Sequence, residues 1–414
     1  MDELIEKGAQ AKKASVFLAR MSSDEKRSAL EEIARLLEAK SDRVITANTR
    51  DLENAQKNGI SGPLIDRLTL NPERISAMSE GIRQIARLDD PVGEVLYMKK
   101  RPNGLQIGQV RVPIGVIGII YEARPNVTAD ASGLCLMAGN AVLLRGGKEA
   151  INSNIAITGI IQDALSARGI PAGAVQLVEN TGRESAMAMM KLNKYLDLLI
   201  PRGGAGLIKT VVENSRVPVV ETGVGNCHAY IDQTADLVMA EKIVINAKTQ
   251  RPGVCNAIET LLVHRSLAGG FLPVICETLK KHNVEIRGDN YVTSLVPYAV
   301  NATDDDWYEE YLDLRIALKI VENTADAIDH INSYGSGHSE TIVTESYANA
   351  QRFVSEVNSA AVYVNASTRF TDGFEFGFGA EIGISTQKLH ARGPMGLRDL
   401  TSTKYIIYGN GQVR

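Results

Sequence analysis

The pattern of hydrophobic and polar positions divides the chain into a helical N-terminal part and a longer part in which strands and helices alternate. In the first ninety or so residues the apolar positions recur with the period of a helix, as they do over 30–37. Ser22 and Glu25 stand ahead of that helix with the spacing of a capping box. Over 95–115 the period changes to two on either side of Asn103-Gly104, and this dipeptide predicts a β-hairpin.

From residue 114 onward, short apolar runs alternate with segments that have the pattern of helices. This alternation predicts βαβ units with buried parallel strands, followed by a second α/β domain that Cys255 opens. Ligands bind outside the carboxyl ends of such strands, and the small, basic loops found there suit a phosphorylated ligand. The runs in the first half, which we predict to be strands, lie at 114–120, 141–144, 174–178, 196–200 and 217–220.

Composition and charge restrict the class of protein. Hydrophobic residues make up 44% of the chain and charged residues 23%, which is typical of a globular protein with a sizeable core. The formal net charge of -4 provides no basic field, so we expect no nucleic-acid partner. The N-terminus begins acidic without an apolar signal region, and the longest apolar runs are too short to span a bilayer. We therefore expect a cytoplasmic location and no membrane partner.

The four cysteines do not form a metal-binding or disulfide pattern. They are far apart, so we expect no metal site and a reducing compartment. Cys135 and Cys276 lie in apolar segments and are predicted to be core residues. Cys255 differs because Arg251 and Asn256 flank it, and a nearby cation favours a reactive thiolate. Taken alone, the residues leave open whether Cys255 is a nucleophile or fills the core.

The order of Asn126, an RGGK loop, an RGG loop, Glu221 and Cys255 resembles the aldehyde dehydrogenase superfamily. The segments IYEARPNVTADASG, QRPGVCNAIETLL and NASTRFTDGFEFGFG resemble more narrowly its γ-glutamyl phosphate reductase branch. The resemblance implies an α/β fold with a Rossmann-type parallel-sheet cofactor domain, a second α/β catalytic domain and a β-hairpin oligomerisation arm. The expected bounds are 1–96, 116–223 and 373–400 for NADP binding, 224–372 for catalysis, and 97–115 with 401–414 for the arm.

The resemblance also implies a reaction. Members of this branch reduce L-glutamate 5-phosphate to L-glutamate 5-semialdehyde and phosphate with NADPH, in the second step of proline biosynthesis from glutamate. Cys255 is implied as the nucleophile that forms a thioacyl intermediate, and Asn126 as the oxyanion donor. Glu221 matches the base of oxidative relatives, and its role in a reductase stays open. A homo-oligomer, at least a dimer, is expected, and channelling of substrate from glutamate 5-kinase is consistent with the resemblance.

Further ligand contacts follow from the same resemblance. Lys148 stands where NAD-using relatives often carry Glu, and a lysine suits the 2′-phosphate that distinguishes NADP. The acidic residues Asp304, Asp305 and Asp306 are expected on a solvated surface. The implied cofactor-binding residues are Arg145, Gly146, Gly147, Lys148, Arg202, Gly203, Gly204 and Glu310, and the substrate-binding candidates are Arg124, Arg251, Thr368 and Arg369.

Two other functions are compatible with the sequence. Glu221 alone favours an oxidative aldehyde dehydrogenase that acts on another small aldehyde. A binding or scaffold protein on the same fold is the second alternative, and the intact Cys255 and Asn126 argue against it. Trapping of the thiol with and without NADPH distinguishes these functions from the reductase.

Overall fold

The computed structural model describes residues 2–60 and 62–414, which fold into two compact units. The bounds of these units differ from the expected domain bounds, and the segments expected to form the arm fall within the first unit. The first unit extends to Glu221 and includes two later segments, Gly377–Gly383 and Met395–Arg414, and the second consists of Thr222–Phe376 and Ile384–Pro394.

Helices and strands follow one another along most of the described chain. The helices are α1 (Asp2–Leu18), α2 (Ser23–Ala39), α3 (Ser41–Lys57), α4 (Pro63–Leu68), α5 (Pro72–Arg87), α6 (Asn126–Met137), α7 (Ile151–Ala167), α8 (Arg183–Met189), α9 (Ala205–Asn214), α10 (Leu237–Thr249), α11 (Phe271–Lys281), α12 (Asn290–Leu295), α13 (Thr324–Tyr334) and α14 (Tyr347–Glu356). The strands are β1 (Val95–Lys100), β2 (Gln106–Pro113), β3 (Val116–Tyr121), β4 (Ala141–Arg145), β5 (Val175–Leu177), β6 (Leu198–Arg202), β7 (Cys227–Ile231), β8 (Ile258–His264), β9 (Glu285–Gly288), β10 (Val300–Asn301), β11 (Arg315–Val321), β12 (Ser339–Val343), β13 (Ala361–Val364), β14 (Ile384–Ser385), β15 (Gly393–Pro394) and β16 (Thr401–Tyr408).

One segment lies outside the unit in which the sequence analysis expected it. Residues 373–400 were assigned to the cofactor domain, but 373–376 and 384–394 belong to the second unit. The reason is local pairing, since β14 pairs with β15 in antiparallel fashion and closes this segment on itself. Arg392 also donates a hydrogen bond of 3.0 Å from Nη2 to the carbonyl of Asn358 in the same unit.

Local sequence signals account for the helical start of the first unit and for the hairpin. Ser22 and Glu25 form the predicted capping box at the beginning of α2. Strands β1 and β2 pair in antiparallel fashion, and Gly104 in their turn has φ of 92°, a conformation that favours glycine. Strand β16 adds to the other edge of β2. The hairpin is therefore confirmed, and the role of this arm in oligomerisation stays a prediction.

The parallel sheet of the first unit has the order β5, β4, β3, β6. Every residue of β3 is buried, as expected for a parallel strand with both faces covered. The predicted strand at 217–220 is wrong, because this segment makes only an isolated bridge between Leu199 and Val219. Pro218 has no N–H to donate, which limits the ladder that this run can form. The other four predicted runs overlap β3, β4, β5 and β6.

The parallel sheet of the second unit has the order β10, β9, β11, β8, β7, β12, β13. Strands β7 and β8 lie next to each other near its middle, and almost all of their residues are buried. Helices α10 and α11 contribute to one core cluster, which contains Cys276, and α13 and α14 contribute to another. Cys135 and Cys276 are both buried, as predicted. Among the described residues, no helix combines the length and the apolar character that crossing a membrane requires.

Candidate active site

The loops that follow β3, β4 and β6 lie at the same edge of the first sheet, because these strands are parallel neighbours. Glu122, directly after β3, connects this edge to the loop after β6. Its carboxylate accepts a hydrogen bond of 3.0 Å from the backbone N–H of Gly204. A Cβ placed on Gly203 would stand 2.7 Å from the carboxyl carbon of Glu122. Glycine is therefore required where this side chain crosses the loop.

The glycines at this edge have two kinds of surroundings. A Cβ on Gly146 would stand 2.2 Å from Asn154 Nδ2, and one on Gly147 would stand 2.7 Å from Glu149 Oε2. Nothing lies within 4 Å of a Cβ on Gly204, which precedes α9. The first turn of α9 contains no acidic residue, so its N–H groups present a positive end. The start of α9 is therefore the part of this edge where the helix dipole favours an anionic group.

The basic side chains of the RGGK loop have different surroundings. The guanidinium of Arg145 donates to two backbone carbonyls, those of Thr181 and Gly182, at 2.5 Å and 3.0 Å. Burial lowers the pKa of Arg145, while Glu149 and Glu184 act in the opposite direction. Lys148 is exposed at the start of a short 3₁₀ helix, Lys148–Ala150. Arg145 therefore fixes a neighbouring loop, and Lys148 presents its ammonium to solvent.

Asn126, the residue implied as oxyanion donor, begins α6 and is exposed. Its Nδ2 donates a hydrogen bond of 2.9 Å to Oδ2 of Asp130, one helical turn later. Partial burial raises the pKa of Asp130 to about 6, opposed by the hydrogen bond from Asn126 and by the charge of Arg202. The sequence analysis missed Asp130, although its i, i+4 spacing from Asn126 on a helix was a usable signal. Arg124 precedes the helix and is also exposed.

Cys255 lies in the loop between α10 and β8 of the second unit and is half-buried. The backbone at Gly225 lies directly against it, since a Cβ on Gly225 would stand 1.7 Å from the carbonyl oxygen of Cys255. The buried thiol of Cys227 donates to that same carbonyl at 3.1 Å. The position of the candidate nucleophile is thus set by the segment that leads into β7.

Two of the predicted substrate-binding arginines share the electrostatic environment of Cys255. Burial lowers the pKa of Arg369, and the positive charge of Arg251 lowers it further. Cys255 and Asp372 act in the opposite direction. Arg251, Arg369 and Cys255 therefore lie close enough to interact electrostatically within the second unit.

The polar groups next to Cys255 are tied to the loop that carries Arg369. The hydroxyl of Thr368 donates to the carbonyl of Asn256 at 2.6 Å, and Asn256 Nδ2 donates to the carbonyl of Thr371 at 2.9 Å. Thr368 is completely buried. Its hydroxyl, predicted to bind substrate, instead holds the residue that follows the nucleophile. Arg369 Nε donates to Gln250 Oε1 at 3.1 Å, which holds the arginine beside the same loop.

Glu310 and the acidic run before it have specific partners in the second unit. Glu310 is half-buried, and its Oε1 accepts a hydrogen bond of 2.7 Å from the N–H of Gly225. The expectation that all three aspartates of 304–306 are solvated is wrong for Asp306, which is buried. The carboxylate of Asp306 accepts a hydrogen bond from the backbone N–H of Thr303 and another, at 2.8 Å, from the hydroxyl of Tyr311. Gly225 was also missed from sequence, where GVGNC shows no signal beyond its glycines.

Glu221, the remaining predicted site residue, is half-buried and ends the long N-terminal segment of the first unit. The structure thus brings the predicted residues together in two groups. Arg145, Gly146, Gly147, Lys148, Arg202, Gly203 and Gly204 lie in the loops at the sheet edge of the first unit, and Arg251, Cys255, Glu310, Thr368 and Arg369 lie in the second.

Comparison with known proteins gives a consistent result. The model of the "Aldehyde dehydrogenase family" matches residues 2–313. A protein of Carboxydothermus hydrogenoformans named gamma-glutamyl phosphate reductase is 62% identical over 414 residues, which is 100% of both chains. A crystal structure of the gamma-glutamyl phosphate reductase of Thermotoga maritima matches with 53% identity and a TM-score of 0.98, covering 100% of both chains. The corresponding structure from Saccharomyces cerevisiae matches with 32% identity and a TM-score of 0.54, covering 99% of this chain and 98% of that chain.

Proposed function

The chain belongs to the aldehyde dehydrogenase family, whose members use a nicotinamide cofactor, and we propose that it reduces L-glutamate 5-phosphate to L-glutamate 5-semialdehyde and phosphate with NADPH. The full-length identity to proteins named gamma-glutamyl phosphate reductase supports the choice of substrate. The observation that carries the chemistry is the half-buried Cys255, whose neighbour Asn256 is hydrogen-bonded to the loop that carries Arg369. This reaction is the second step of proline biosynthesis from glutamate.

The proposed reaction begins at the thiolate of Cys255. Its sulfur attacks the carbonyl carbon of the acyl phosphate, and the carbon–oxygen bond to phosphate breaks with its electron pair on the leaving phosphate. The product is a thioester on Cys255, so one difficult step is divided into two easier ones. NADPH, when bound, supplies the hydride that reduction of this thioester requires. Loss of the semialdehyde from sulfur then restores the thiolate.

Other side chains of the two units have supporting roles in this proposal. Arg251 and Arg369 hold the anionic groups of the substrate, because guanidinium groups bind phosphate and carboxylate through charge-assisted hydrogen bonds. Asn126 donates to the oxyanion that forms on the substrate carbonyl, a contribution typically worth about 10²–10³ in rate. Glu221 is not assigned as a base that activates water, since such water would hydrolyse the thioester before reduction. A role in orienting the reacting groups is retained for it.

The test of the nucleophile is the Cys255→Ser variant. It should abolish formation of semialdehyde while leaving binding of NADPH nearly intact, because serine keeps the size of the side chain and loses the thiolate. The reaction is followed in reverse, by formation of NADPH from glutamate 5-semialdehyde, phosphate and NADP. Cys276→Ser, a buried change in α11, is the matched control and should keep its activity if folded. Normal activity of Cys255→Ser would refute the mechanism.

The preference for NADP over NAD is proposed to depend on Lys148. The exposed ammonium at the end of β4 suits the 2′-phosphate, and a charge-assisted hydrogen bond of about 1.5–3 kcal/mol corresponds to roughly one to two orders of magnitude in affinity. Lys148→Glu should therefore raise the KM for NADPH strongly and the KM for NADH little. Lys13→Glu, the same charge change at an exposed position of α1, is the control. Equal losses with both cofactors would contradict the assignment.

The proposal extends to association and location. We propose a homo-oligomer, at least a dimer, formed through the arm of β1, β2 and β16, whose side chains are mostly exposed. Exposed backbone edges and apolar side chains on a strand favour pairing with another chain. A cytoplasmic location and transfer of substrate from glutamate 5-kinase complete the proposal. Co-purification of the kinase with this protein tests the last point.

A further inference from the structure

Glu310 has a partner that its implied contact with the cofactor does not explain. Its Oε1 accepts a hydrogen bond of 2.7 Å from the backbone N–H of Gly225. Burial raises the pKa of Glu310, the hydrogen bond from Gly225 opposes this effect, and the neighbouring Glu309 adds to it. A carboxylate oxygen at this distance from an N–H donor makes a charge-assisted hydrogen bond, which is stronger than a neutral one.

Gly225 also lies directly against the backbone of Cys255. A Cβ at Gly225 would stand 1.7 Å from the carbonyl oxygen of Cys255 and 2.4 Å from its Cα. The two backbone segments therefore touch without clearance, and a displacement of one requires a displacement of the other. Cys227, two residues further along, donates its thiol to the same carbonyl at 3.1 Å. The segment that Glu310 contacts therefore packs directly against the backbone of Cys255.

The loop that carries Glu310 is itself anchored in the core. Lys248 and Glu259 form an ion pair, and both side chains are completely buried. The other carboxylate oxygen of Glu259 accepts a hydrogen bond of 3.3 Å from the N–H of Leu312. Leu312 has φ of 53°, so its backbone adopts a conformation that few non-glycine residues adopt without support. The loop is therefore anchored two residues after Glu310.

We infer that Glu310 is a positioning residue for Cys255, acting through Gly225, in addition to the cofactor contact that the proposed function assigns to it. The cofactor contact rests on the proposed function, whereas the contact with Gly225 does not depend on it.

The inference is tested by the reactivity of the thiol, which needs neither substrate nor cofactor. The rate of alkylation of Cys255 by iodoacetamide is measured by mass spectrometry of the peptide that contains it, in wild type and in variants of Glu310. Glu310→Ala removes the acceptor for Gly225 and should raise the rate at least about fivefold, because the half-buried loop is released. Glu310→Gln keeps an acceptor oxygen, so its rate should stay within about twofold of wild type.

Steady-state kinetics separate the two roles of the carboxylate. Glu310→Gln should raise the KM for NADPH with a small effect on kcat, because only the charge is lost. Glu310→Ala should raise that KM and lower kcat as well. Glu309→Ala removes an adjacent, exposed carboxylate that does not contact Gly225, and it should match wild type in both assays.

Gly225→Ala is a second variant that keeps Glu310 intact. Its methyl group overlaps the carbonyl of Cys255, so alkylation should rise as it does in Glu310→Ala if this contact positions the thiol. Wild-type alkylation rates in Glu310→Ala, or in Gly225→Ala if the first variant does not fold, would overturn the inference. An inactive wild-type protein would instead refute the proposed function and would leave the comparison of alkylation rates valid.

Discussion

Acid should destabilise the second unit through a buried histidine that lies behind the nucleophile. His338 is completely buried, with Nδ1 at 2.8 Å from Ser339 Oγ and 3.6 Å from the thiol of Cys227. Burial lowers the pKa of His338 from 6.5 to about 4. The folded state therefore keeps this imidazole neutral at a pH where the unfolded chain binds a proton. The stabilisation is complete above the unfolded pKa and is lost as pH falls from about 6.5 towards about 4.

The magnitude follows from the two pKa values. At about pH 5 the unfolded histidine is almost fully protonated and the folded one is largely neutral, so the free energy of unfolding falls by about 2 kcal/mol relative to about pH 7.5. His338→Gln removes the titrating group, and this variant should lose about 2 kcal/mol less than wild type over the same range. The comparison isolates His338 from the other groups that titrate there, since both proteins share them.

Trp307 provides the assay, because it is the one tryptophan of the chain and is buried in the second unit. Its emission is followed during unfolding by urea at the two pH values, in wild type and in His338→Gln. His282→Gln, a change at an exposed histidine after α11, is the matched control and should behave as wild type. Parallel losses of stability in wild type and His338→Gln would refute the assignment of the proton to His338.

Two other predictions concern the oxyanion donor and the arm. Asp130→Ala should lower kcat by about tenfold with little change in the KM for NADPH, because the amide of Asn126 loses the hydrogen bond that orients it. The effect should vanish in the Asn126→Ala background. A loss of kcat that persists in that background would indicate a structural role of Asp130. Ile407→Asp places a charge on the exposed face of β16, where Ile407 and Tyr405 are each 60% exposed. Light scattering should then show a smaller assembly for this variant than for wild type. A monomeric wild type would contradict the role of the arm.

The fold was largely predictable because its signals are local. Capping by Ser22 and Glu25, the turn at Asn103-Gly104 and the buried apolar runs each depend on a few neighbouring residues, and each is present in the structure. The run at 217–220 failed because its composition is that of a strand while Pro218 prevents a regular ladder. Likewise, a run of three aspartates gave no indication that Asp306 is a buried cap.

The partners of the site residues were less predictable because they depend on contacts between distant parts of the chain. Cys255 was identified from its flanking residues and the family resemblance, but its support by Gly225 joins positions 30 residues apart that share no pattern. Thr368, a candidate for substrate binding, also has a partner that the sequence did not indicate. Its complete burial and its hydrogen bond to Asn256 show that the residue holds the loop of the nucleophile in place.

The basic loop after β4 shows how the structure sharpens a hypothesis from sequence. Arg145 and Lys148 were both implied as cofactor-binding residues, so the sequence alone did not separate their roles. One terminal nitrogen of Arg145 is committed to the carbonyls of Thr181 and Gly182, and its Nε is buried without a hydrogen-bond partner. A guanidinium held in this way has little freedom to reach a phosphate, whereas the exposed Lys148 carries its ammonium on a flexible stem. The preference for NADP should therefore depend mainly on Lys148, and Arg145→Ala should impair NADPH and NADH alike by releasing the loop at 181–182.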